Sequence, residues 1–287
     1  MGKRKPKKAA AFCSLIFLLG FVPGCQLDGE GDSAEDPQNR LEQLMQTYDQ
    51  RFVEYLNQAQ QEMGKEILKY SPVSSSTPVL KRMDVLGSHY EYGNLVGRIA
   101  RLYGRNPGRV AAGRRDLNER IIGMYRQIYP RYLDFARGLG DAFAIPMEEL
   151  DFAGLEYDFI VNFWYSLFRY DEFQGLAGAS ATDSAAIATH CSLVFAKVGE
   201  DVFVGRNFDD TYEKPQFVEF TQLNDGYRVM ANNCYVPYHW IMDGVNEKGL
   251  LMGTANLVNP AKYDWTDPYP DVPAICEHHL FRAALET

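Results

Sequence analysis

A chain of 287 residues that is 46% hydrophobic, 13% aromatic and 23% charged belongs to a globular protein long enough to bury a full core. That composition excludes a disordered or collagen-like chain, and five cysteines are too few for a disulfide scaffold. A formal net charge of −9, from 29 Lys and Arg against 38 Asp and Glu, argues against nucleic acid as the main partner, because duplex affinity comes from cations that neutralise phosphates.

The charge is uneven along the chain. Lys3, Arg4, Lys5, Lys7 and Lys8 precede an apolar run from Ala9 to Val22, closed by Pro23-Gly24-Cys25. A basic stretch, a short apolar stretch and a small residue before the cut mark an export signal over residues 1–24. The apolar run falls short of the roughly 20 residues that a membrane-spanning helix needs. Val22-Pro23-Gly24-Cys25 resembles a bacterial lipobox. That resemblance implies cleavage before Cys25, lipidation of its sulfur and new amine, and an exported protein held to a bacterial membrane by lipid. The signal removes five cations and no acid, so the exported chain is more acidic than the total, and an anionic membrane surface repels it.

Residues 25–39, with Asp28, Glu30, Asp32, Glu35 and Asp36 among Gly, Ser and Pro, read as a flexible acidic tether. Residues 40–190 form a helical N-terminal region. Leu41, Leu44, Met45, Tyr48, Phe52, Tyr55 and Leu56 fall at steps of three and four, predicting an amphipathic helix from residue 40 to about residue 70. The serines and prolines of residues 71–78 break it. Further helices are expected from near Glu91, from near Asp116, and from Met147 to about Tyr170 after the Pro146 start signal. The arginines of the Gly-rich and Arg-rich stretch 104–115 read as a solvated loop, with anion binding as the competing use.

From Ser192 the period becomes extended. Residues 192–196 and 202–204 flank Gly199-Glu200-Asp201, and residues 216–223 and 227–231 flank Asn224-Asp225-Gly226, so two hairpins are predicted. Extended chain at 250–256 and a helix from near Pro273 follow. The fold class is therefore α+β, a helical front half followed by an antiparallel β-rich half.

Chemistry concentrates where the period changes. Cys191 opens the first strand, while Arg206 and Asp209 stand at the end of the paired one, so a hairpin brings them to one end. A guanidinium beside a thiol lowers its pKa, and a carboxylate can orient the arginine or an amine. A buried small hydrophobe is the competing reading of Cys191. Cys234 and Cys276 read as core residues or one disulfide. His239 with Asp243 offers a rival Cys-His-Asp protease triad. His278 and His279, adjacent on a helix, point to different faces and make a poor metal pair, and no other Cys or His cluster has zinc spacing. Residues 264–273 read as an ordered loop at the site rim.

Residues 191–209, then Asp243-Gly-Val-Asn-Glu-Lys-Gly-Leu250 and Gly253-Thr-Ala-Asn256, together resemble the choloylglycine hydrolase and penicillin acyltransferase branch of the N-terminal-nucleophile hydrolases. Gly87-Ser-His-Tyr-Glu-Tyr-Gly93, with Gly97, is similar to a Gly-rich signature of the acyltransferase-like members. The resemblance covers about Leu86 to the end. It implies a four-layer αββα sandwich, present here in part over residues 191–287 and preceded by the helical region. It also implies autoproteolysis between His190 and Cys191, after which the cut chains stay associated. Cys191 then supplies the nucleophile and, through its freed α-amine, the general base. Arg206 and Asp209 hold the amine and substrate, and Asn256 donates to the oxyanion.

The expected activity is hydrolysis or acyl transfer at linear amide bonds of small molecules or small peptides, with no cofactor and no metal. A catalytically silent, lipid-anchored binding protein of the same fold and a thiol protease using His239 are the alternatives. The family usually continues with further strands, so a chain longer than 287 residues is expected.

Overall fold

The computed structural model describes residues 37–74, 77–168, 192–199, 201–207, 216–234, 241–253, 273, 275 and 277–287. The described chain mixes helices with a mixed sheet, an α+β protein. Among the described residues, one hairpin belongs to one compact unit and every other element to a second.

In the larger unit the chain opens with α1 (Pro37–Met63). Its apolar steps bury Tyr48, Phe52, Leu56 and Ala59. The helix ends earlier than the apolar spacing predicts: Gly64 takes φ 65°, and the amides of Gly64 and Lys65 turn back onto the carbonyls of Gln61 and Gln60. Glycine adopts that left-handed geometry without steric cost, so it stops the helix. The chain continues as β1 (Leu68–Ser74) and β2 (Thr77–Gly87), an antiparallel pair inside the region expected to be helical. The Gln60 side chain accepts from the amides of Ile67 and Leu68 and so fixes where β1 starts.

Ser88 caps α2 (His89–Leu102) in a capping box with Glu91. After a single turn of 3₁₀ helix come α3 (Arg115–Ile128) and α4 (Pro130–Ala142), split where Pro130 opens the second with its missing N–H at a helix start. The helix expected from Met147 begins later, because Pro146 starts only a 3₁₀ turn. The Asn118 amide of α3 binds the Leu150 carbonyl at 2.9 Å and accepts from the Phe152 amide at 2.8 Å. From there α5 (Phe152–Gly154) passes through a π-helical segment (Leu155–Val161) into α6 (Asn162–Phe168).

After residue 191 the unit contains β5 (Gln216–Leu223), β6 (Val229–Cys234), β7 (Ile241–Asn246), β8 (Leu251–Gly253) and a last helix, α7 (Glu277–Glu286). The six strands run in the order β1-β2-β5-β6-β7-β8. All neighbours are antiparallel except β2 and β5, which pair in parallel from Leu80↔Gln216 to Gly87↔Leu223. This corrects the expectation of a purely antiparallel sheet confined to the second half, since strands from before and after position 191 form one sheet. Alternate residues Met83, Val85, Phe217 and Leu223 join the core with Phe52, Tyr92, Phe135 and Trp164 of the helices. On the other face Arg82 is exposed, and its guanidinium lies 4.4 Å from the centre of the half-buried Phe220 ring.

Helices α2 and α4 cross closely. A Cβ on Gly93 would collide with the Phe135 carbonyl, and one on Gly138 with the Tyr90 carbonyl, so each helix presents a glycine to the other's backbone.

The smaller unit contains the predicted hairpin, β3 (Ser192–Val198) and β4 (Asp201–Asn207), turned at Gly199 with φ 64°. Val194, Val198 and Phe203 are exposed, at 61%, 65% and 40%, so one face of this hairpin carries apolar side chains in the open.

Candidate functional site

The hairpin register runs from Ser192↔Asn207 and Leu193↔Arg206 to Val198↔Asp201. Strand β3 begins immediately after position 191, and Arg206 sits in the last turn of pairing of β4, so the backbone of Arg206 stands beside the start of the strand that Cys191 precedes. Cys25, His190, Cys191, Asp209, His239, Asn256, Cys276 and the loop 264–272 lie outside the described residues, as do the side chains of Arg206 and Cys234.

In the larger unit, the turn Asn246-Glu247-Lys248-Gly249 joins β7 to β8. The buried Asn246 carboxamide oxygen accepts from the Lys248 and Leu250 amides, each at 3.0 Å, while its nitrogen donates to the Leu285 carbonyl of α7 at 2.9 Å. Gly249 turns the chain at φ 85°, and Glu247 pairs with Arg228 at 3.0 Å. This turn feeds β8, three residues upstream of Asn256. Asp243 pairs with Asn232 across β6 and β7.

The Gly87 to Gly97 signature acquires a physical meaning. Gly87 takes φ 91° at the end of β2, Ser88 caps α2, and Gly93 and Gly97 admit α4. Glu91, though partly desolvated, is held below the usual carboxylate range by Lys65 and by both the amide and the hydroxyl of Ser88.

His89 of the same signature belongs to a buried polar network that the sequence did not reveal, since its partners are up to 197 positions away. Its Nδ1 stands 3.1 Å from Asp225 Oδ1 and its Nε2 2.9 Å from Glu286 Oε2. Glu286 also accepts from the Tyr129 hydroxyl at 2.8 Å and from Arg282 at 3.2 Å, and Arg282 reaches Glu219 at 3.3 Å. Arg131 pairs with Asp225 and donates to the Glu286 carbonyl. Burial by itself would push the Glu286 carboxyl up, but the His89 hydrogen bond, the Arg282 and His89 charges and the Tyr129 hydroxyl hold it below the usual value. Burial also raises the Tyr92 phenol well above its ordinary range, with the Glu219 charge adding to it.

A second buried histidine, His279, has its Nδ1 2.7 Å from the Tyr125 hydroxyl and its Nε2 3.1 Å from Glu156, with the Tyr132 ring against it. His278 turns instead to the Ile241 carbonyl at 3.0 Å. In the 104–115 stretch, Arg109 pairs with Glu149 and Arg114 with Asp151. Among the described residues no helix is long and apolar enough to cross a membrane.

The chain matches no family model, and no curated protein matches it.

Proposed function

We propose that this protein is an exported, lipid-anchored cysteine amidohydrolase or acyltransferase of the N-terminal-nucleophile type, acting on linear amide bonds of small molecules. The observation that supports it best is the β3–β4 register, in which Arg206 pairs with Leu193, two residues beyond Cys191. The chemistry follows from the residue types. Cleavage between His190 and Cys191 frees an α-amine of ordinary pKa about 7.7 to 8, which takes the thiol proton at neutral pH. The thiolate attacks the amide carbonyl, and Asn256 donates to the oxyanion, a contribution of about 2.7 to 4 kcal/mol. Collapse breaks the C–N bond; the leaving amine takes the proton from the α-ammonium, and a thioester remains on Cys191. Water or an acceptor amine then attacks the thioester and restores the thiol. Arg206 and Asp209 orient the amine and substrate.

In this reading the mixed sheet, with helices against one face, is one half of an αββα sandwich. Cys25 anchors the chain to the membrane through its lipid, and residues 25–39 are the tether.

N-terminal sequencing and intact mass of the mature protein test this. A new chain beginning Cys191-Ser192-Leu193, absent in Cys191→Ala, is the expected result. An uncut protein whose Cys191 resists a thiol-directed acylating probe overturns the enzymatic reading. An uncut, active protein that loses activity in His239→Ala points to the thiol protease instead.

A further inference from the structure

The two buried histidines differ in what their surroundings demand of them. His279 has the Tyr125 hydroxyl 2.7 Å from Nδ1 and a single carboxylate, that of Glu156, 3.1 Å from Nε2. At His89 the Tyr129 hydroxyl stands farther off, 3.5 Å from Nε2, and is turned to Glu286 at 2.8 Å. Its two ring nitrogens face carboxylate oxygens on Asp225 and Glu286. Each carboxylate has partners of its own, Tyr129 and Arg282 at Glu286 and Arg131 at Asp225. Only an imidazolium donates from both nitrogens, whereas a neutral ring must turn a lone pair toward one of the two anions.

Around His89 stand Glu286 and Arg282 of α7, Glu219 of β5, Asp225 of the β5–β6 turn, and Arg131 and Tyr129 of α4. In α2 itself, Glu91 is engaged with Lys65 and Ser88. Arg282 lies between Glu286 and Glu219 and Arg131 lies against Asp225, so an imidazolium at His89 adds positive charge beside two of these carboxylates. A proton lost from His89 removes one positive charge from beside Glu286, which is 2% exposed.

We propose that His89 is a protonation-controlled latch on α7: the imidazolium holds the C-terminal turn of α7 against α2, α4 and the β5–β6 turn, and loss of its proton releases that turn. The sign follows. The latch is closed at the acidic side of the histidine titration and opens as pH rises through it. The latch joins residues on both sides of position 191, yet it does not depend on cleavage or on catalysis.

The test uses the full chain. Histidine side-chain NMR reports the protonation of both rings between about pH 5.5 and 8.5, the range in which histidine titrates. Amide hydrogen exchange over residues 277–287, corrected for intrinsic exchange, reports release of α7. In the wild type, protection of α7 should fall roughly tenfold or more across the His89 titration, the fold-change that a charge-assisted hydrogen bond supports. His89→Gln should abolish that pH dependence, and His279→Gln should keep it. Should His89→Gln not fold, Asp225→Asn serves, because Asp225 is 47% exposed and its neutral amide accommodates a neutral ring; it should flatten the profile too. A neutral His89 ring throughout, or a pH dependence that persists in His89→Gln or Asp225→Asn, overturns the latch.

Discussion

At the scale of single residues, space and hydrogen-bond geometry decide what is tolerated. Gly138 and Gly123 are both helical, but a Cβ on Gly138 runs into the Tyr90 carbonyl and the Asn94 amide, whereas one on Gly123 meets nothing within 4 Å. Gly138→Ala should therefore destabilise by about 3 kcal/mol as α2 and α4 are forced apart. Gly123→Ala should stabilise by about 0.5 to 1 kcal/mol through lower unfolded-state entropy and higher helix propensity. Chemical denaturation of the pair measures the contrast. The glycines of the Gly87 to Gly97 signature were visible in the sequence, but their purpose was not, because Phe135 and Leu139, whose carbonyls they admit, sit some forty positions away.

At the scale of elements, the parallel β2–β5 pairing is the feature with most consequence. Eight paired positions, Leu80↔Gln216 to Gly87↔Leu223, join a strand from before position 191 to one from after it, in the middle of the sheet. Around this seam α7 adds His279 to Tyr125 and Glu156, and Asn246 fastens α7 to the β7–β8 turn. A chain cut between positions 190 and 191, by itself or through an introduced protease site, should therefore elute from native gel filtration as one species and separate only in denaturant. Two peaks under native conditions would show that the seam is weaker than its hydrogen bonds and burial suggest. Sequence periodicity located β5, the β3–β4 hairpin and α2, but it divided β1 between the end of the helix of residues 40–70 and the break of 71–78, and left most of β2 unassigned. Local pattern carries no information about a strand partner more than a hundred positions away.

At the scale of the whole molecule, stability should depend on pH through buried carboxylates. Glu286 is held below the usual Glu range of about 4.3 in the folded state. A carboxylate with a depressed folded pKa contributes stability above its unfolded value and loses it as pH falls through the lower folded one. Thermal melts should therefore drop between roughly pH 4.3 and the lower folded value, and Glu286→Gln, which cannot ionise, should lose that part of the acid limb. A variant with the same acid limb as the wild type would place the titration elsewhere.

The sequence alone determined the α+β class, the acidic character and the hairpin at residues 192–207, because composition, turn residues and short-range periodicity are local properties of the chain. Only the tertiary structure decided that the two halves share one sheet, that the glycines of α2 serve a helix crossing, and that His89 stands between two carboxylates. Each of these is a contact between distant segments, set by which surfaces can be buried together and which charges must then be matched. No spacing along the chain encodes those requirements.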